Sequence, residues 1–194
     1  MPAPLSNRFF HLEVTSGLDE FKEYAIKNEI DDRIISFLNF RPNLLHKIDK
    51  NSPSWPSPRQ WVKSNNLLQA GLDIDPAVGG AAGAEFRSFC KIYKTLPDIE
   101  KILDGDLKPE FPEELSAKYA LSCALALRSK TDKQITNALK FLAQKGTSEW
   151  LNQCAIDIFS ILKEKNRSHE LIKVLQSQKE LLEASRQIAK LLVA

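Results

Sequence analysis

A chain of 194 residues with 43% apolar and 27% charged side chains carries enough large hydrophobic groups to fold around one core or two small ones, which excludes a disordered chain. Its 27 lysines and arginines nearly balance 25 acidic residues, and a formal charge of +2 supplies no broad positive field for nucleic acid or anionic lipid. No uncharged stretch approaches the ~20 residues that span a bilayer and the first residues lack a signal-peptide core, so the expectation is a cytoplasmic protein with no nucleic-acid and no membrane partner.

The only strand signal comes first: Phe10, Leu12 and Val14 alternate with Phe9, His11 and Glu13 at the two-residue period of a pleated strand. Everything after it has helical periodicity, so the fold class is mainly all-α with one short N-terminal strand remnant. Residues 18–28 form a first helix opened by Ser16 or Gly17, and a second begins at Asp31 or Asp32 and stops before Pro42. The prolines at 53, 56 and 58 mark an extended loop. Ser57 and Pro58 then start a helix that Gly71 ends, and Asp75-Pro76 opens another with Val78, Ala82, Phe86 and Phe89 facing inward. A short helix over 98–103 lies between Pro97 and Gly105. The remaining helices are expected at 112–128, 132–145, 148–165, 168–176 and 178–192.

Cys90, Cys123 and Cys154 are odd in number, far apart and embedded in helical patterns, which points to buried structural thiols. The three histidines are scattered, so no metal site is expected. The glycine cluster from Val78 to Phe86 lacks the Lys-Ser/Thr pair and preceding strand of a phosphate-binding loop. Its small residues are expected to let another helix come close. No apolar strand ends in Asp-Glu to hold magnesium, so this chain alone binds no nucleotide cofactor tightly.

Two segments carry a more specific signal. Met1 to Val14, MPAPLSNRFFHLEV, resembles the end of the nucleotide-binding core in MoxR-like AAA+ ATPases, where Asn-Arg-Phe precedes the last core strand, and Arg8 matches its arginine. Ser54 to Trp61, SWPSPRQW, resembles the Ser-Pro-Arg-Ser-Trp form of the sensor 2 motif in the helical lid of the same group. Arg59 matches the sensor arginine, while Gln60 departs from the pattern. Arg41-Pro42-Asn43-Leu44-Leu45 is similar to the lid's Arg-Pro-x-Leu-Leu stretch, and the likeness continues through Val78-Gly79 to Glu85-Phe86, covering roughly residues 1–105.

The resemblance implies residues 1–16 as a remnant of the AAA+ core and 17–106 as the helical lid, while the helical periodicity beyond it makes 107–194 a C-terminal helical bundle. It implies Arg8 as an arginine finger lent to a neighbouring ring subunit and Arg59 as sensor 2 on an ATP phosphate. ATP and Mg would belong to the parent protein. The partners would be the missing core, adjacent subunits and a remodelled protein substrate. Arg59 at the start of a helix would add backbone N–H groups to its guanidinium in holding an anion; the alternative is an arginine lying over Trp55 or Trp61. For the whole chain the alternative is a stand-alone α-helical interaction module, with Arg8 and Arg59 as ordinary surface or packing residues.

Overall fold

The computed structural model describes Arg8, residues 15–177 and Leu181. The expected strand at 9–14 and the last expected helix at 178–192 lie outside the described residues, apart from Leu181. Among the described residues the chain is all-helical: α1 Leu18–Lys27, α2 Asp32–Phe40, a 3-10 turn Pro42–Leu44, α3 Pro58–Gln69, α4 Asp75–Val78, α5 Gly80–Tyr93, α6 Ile99–Asp104, α7 Leu115–Arg128, α8 Asp132–Lys145, α9 Ser148–Glu164 and α10 Ser168–Ser177. None is long and apolar enough to cross a membrane.

The helix starts follow local chemistry. The Asp31 carboxylate accepts from the Arg33 N–H at 2.9 Å, Ser57 Oγ from Gln60 N–H at 3.4 Å, and Asp98 from Lys101 N–H at 3.3 Å. Each satisfies a donor that the first turn leaves without an intrahelical partner. Gly105 ends α6 in the left-handed region at φ 108.

Two boundaries differ from the sequence reading. The helix expected from Pro112 starts at Leu115, because the backbone at Glu114 is still extended, and the Glu114 carboxylate accepts from Ser116 Oγ at 2.5 Å. The single helix expected from Asp75 is broken in two at Gly79, where φ 83 and ψ 153 interrupt the helical path.

Gly79 serves a different neighbour from the one expected, a loop rather than a helix. A Cβ at Gly79 would come within 2.7 Å of the Ser54 carbonyl oxygen, and one at Gly83 would collide with the Asp75 carboxylate. The close approach is therefore made at Gly79 by the 52–54 loop and at Gly83 by Asp75 at the start of the neighbouring short helix α4. Gly79→Ala is expected to destabilise the chain by ~1–3 kcal/mol from its backbone conformation alone, with the Ser54 contact adding to that. The measurement is the urea midpoint.

Two apolar clusters share one helix. The first gathers Phe21 and Ala25 of α1, Ile34, Ile35, Phe37 and Leu38 of α2, Leu44, Trp61 of α3, and Phe86 and Phe89 of α5. The second gathers residues of α6 through α10 with Leu181. Helix α7 runs between them, giving Ala120 and Cys123 to the first cluster and Leu121, Ala124 and Leu125 to the second. A helix apolar on nearly every side belongs in the centre of a bundle, and α7 packs on both α2 and α9.

Candidate functional site

Arg59 occupies the second position of α3, after Ser57 as N-cap and Pro58 as first helical residue, and its side chain is exposed. Among the described residues it has neither an ion-pair partner nor a ring contact. Trp61 is fully buried, with its indole N–H donating to the Leu44 carbonyl at 2.8 Å. The alternative of Arg59 lying over an indole is therefore not what this fold does.

Arg59 lines a cleft of about 470 Å³ between the first turns of α1 and α3. Pro58, Val62 and Lys63 complete the α3 wall, and Glu20, Phe21 and Tyr24 supply the α1 wall, with the 15–17 segment closing one end. Lys63 follows Arg59 by four residues, so the two cations sit on one helical face a turn apart. Lys63 is exposed and Tyr24 is 48% exposed. The cleft thus sets two cations on the α3 wall opposite an α1 wall that carries the Glu20 carboxylate and an aromatic surface. Such a cleft suits an anionic group joined to a flat ring.

The expected contribution of the α3 backbone is smaller than the sequence suggested. Pro58 has no N–H, the Gln60 N–H is held by Ser57 Oγ and the Trp61 N–H by the Ser57 carbonyl at 3.0 Å. Only the Arg59 N–H of the first turn is left for an anion. Electrostatics here rest on the Arg59 and Lys63 side chains, with the Glu20 carboxylate on the opposite wall.

The other segments singled out in the sequence make contacts outside the lining of this cleft. Arg41 forms an ion pair with Glu85 at 2.6 Å, joining the end of α2 to α5. Leu44 and Leu45 are buried. The Asp31 N–H donates to Asn65 Oδ1 at 3.0 Å, tying the start of α2 to α3. Burial alone would raise the Asp31 carboxyl, yet the Arg33 hydrogen bonds and charge hold it below its ordinary value.

Arg8 is exposed, and most of the residues around it in sequence lie outside the described residues. Arg8 and Arg59 are not brought together by any described contact. Cys123 and Cys154 are fully buried, whereas Cys90 is half-buried. Desolvation raises all three thiols, Cys90 to about 11 and Cys123 to about 12, so they stay protonated and unreactive near neutral pH. Among the described residues no three His, Cys, Asp or Glu side chains gather as a metal site.

The sequence reading missed Lys22 and Asp157. These are the only charged residues buried among those described, and they face each other, Nζ to Oδ1 at 2.5 Å, across 135 positions of sequence. Burial lowers the lysine's affinity for its proton, but the charge and hydrogen bond of Asp157 more than offset this and raise it above 10.5. Gln153 also donates to Asp157 Oδ1 at 3.2 Å, while Oδ2 is buried with no hydrogen-bond partner. A signal existed: Lys22 sits four residues after Leu18 on the apolar stripe of α1.

Compared with family models, with curated proteins and with solved structures, the chain gives no match.

Proposed function

We propose that this chain is the lid region of a MoxR-like AAA+ ATPase, with Arg59 as the sensor 2 residue that contacts an ATP phosphate when the lid faces a nucleotide-binding core. The observation that supports the reading is the cleft that Arg59 shares with residues 15–17, since the resemblance puts the joint between core and lid at that segment. The two α3 cations outnumber the single Glu20 carboxylate of the cleft and suit a phosphate group, and half-exposed Tyr24 offers a face for a ring. Bound ATP would supply the phosphoryl group and magnesium its charge neutralisation. Arg59 would hold the terminal phosphate, Lys63 would add a second charge one turn on, and Arg8 would be lent to a neighbouring subunit. The work done would be remodelling of a protein partner in the cytoplasm.

No phosphate-binding loop occurs in this sequence, so the purified chain is expected to turn over no ATP and to bind it weakly. Titration with ATP followed by amide shift mapping should perturb residues 15–24 and 58–63. Arg59→Ala should weaken that binding by about tenfold or more, the value of a hydrogen bond to a charged group. Two results would overturn the reading: turnover that survives repurification and vanishes in Arg59→Ala, or a cleft that stays unperturbed at millimolar ATP.

A further inference from the structure

The two walls of the Arg59 cleft are anchored to different parts of the molecule. The α3 wall is fixed to the first cluster through Trp61, buried against Phe37 and Phe86 with ring centroids at 5.6 and 6.1 Å. The α1 wall packs its apolar residues on the same cluster, but its one buried charge, Lys22, reaches Asp157 on α9 among the helices of the second cluster. Lys22 lies next to Phe21, which lines the cleft.

A buried ion pair gains little over well-packed apolar side chains of the same volume, so net stability is a poor explanation for this one. Its distinctive property is intolerance of small displacements. If α1 slides or rotates on α9 without leaving it, both charges remain out of water and lose their partners, which is far costlier than the same shift between apolar side chains. Gln153 donates to the same Oδ1, so the lysine is not the oxygen's only donor, while Asp157 Oδ2 is buried with no hydrogen-bond partner.

We propose that the Lys22–Asp157 pair is a register pin that makes α1, and with it one wall of the Arg59 cleft, move as one body with α9 of the C-terminal bundle. Any shift of the bundle relative to α3 then changes the width of the cleft, and closing the cleft displaces the bundle. This coupling stands whether or not a phosphate enters the cleft.

The test is a distance measurement by pulsed electron resonance between labels at Glu23 on α1 and Lys163 on α9, both exposed. The labels are carried on a ketone-bearing residue because half-buried Cys90 would compete for a thiol reagent. The unaltered chain should give one narrow distribution. Lys22→Met/Asp157→Leu, which keeps the space filled without charge, should retain its helicity and give a distribution at least twice as wide, or two populations. A narrow, unchanged distribution in the folded double variant, or a broad one in the unaltered chain, would overturn the pin. No nucleotide is used, so this outcome is separate from that of the ATP titration.

Discussion

Lys22→Met should cost the fold about 3–5 kcal/mol, because it leaves the Asp157 carboxylate buried with only Gln153 beside it. That is a large share of the ~5–15 kcal/mol that stabilises an ordinary domain. Adding Asp157→Leu in the same chain should return most of the loss, since the uncompensated charge disappears and the space is refilled. Urea unfolding of both single variants, the double variant and the unaltered chain closes the cycle. Equal stability of Lys22→Met and the unaltered chain would mean that the pair is solvated and unimportant. The pH dependence has a definite sign. The folded-state pKa of Lys22 is raised, so its contribution is complete below the unfolded value near 10.5 and is lost as pH climbs through the higher folded value. The stability deficit contributed by the lost lysine should accordingly stay constant through neutral pH and shrink only in strong alkali.

Most helix boundaries were legible because they depend on residues within one turn. Ser57 followed by Pro58 marks the start of α3, Asp98 that of α6, and Gly105 its end, and each acts through a hydrogen bond or a φ value that the residue type itself favours. The position of Arg59 in a first turn followed from the same local rule. What the sequence did not disclose depends on distant partners. Gly79 sits inside a good apolar helical pattern, and the Ser54 carbonyl that lies against it in the broken path comes from a loop 25 residues earlier, which no local pattern discloses. Lys63 was visible as a residue one turn beyond Arg59, but nothing local says that α1 lies opposite. Tyr24 and Lys63 become cleft residues only when α1 and α3 are both laid on the first cluster. Lys22 and Asp157 were each legible as a charge on an inward face, yet their pairing joins helices separated by most of the chain. The expected fold class is met at the coarse level of an all-helical bundle among the described residues.

Trp61→Ala is expected to match or exceed the effect of losing Lys22, with a different signature. The indole is fully buried and touches Phe37 and Phe86, so its removal leaves a cavity that α2, α3 and α5 cannot fill without moving. Aromatic-to-alanine changes at such sites cost about 3–5 kcal/mol. The Leu44 carbonyl also loses the donor that reaches it at 2.8 Å, which leaves a buried acceptor unpaired at a further ~1–3 kcal/mol. Trp61→Phe separates the two contributions, because it keeps most of the apolar volume while removing the N–H. It should therefore fall between the unaltered chain and Trp61→Ala in urea midpoint. The consequence for the cleft is specific as well. Trp61 holds the first turns of α3 against the first cluster, and Arg59 and Lys63 flank it on the exposed side of the same helix. In a Trp61→Phe chain that remains folded, amide exchange should quicken across residues 58–63 while α8 and α10 keep their protection. Uniform loss of protection throughout the chain would instead show that the two clusters unfold as one unit and that α3 has no local opening of its own.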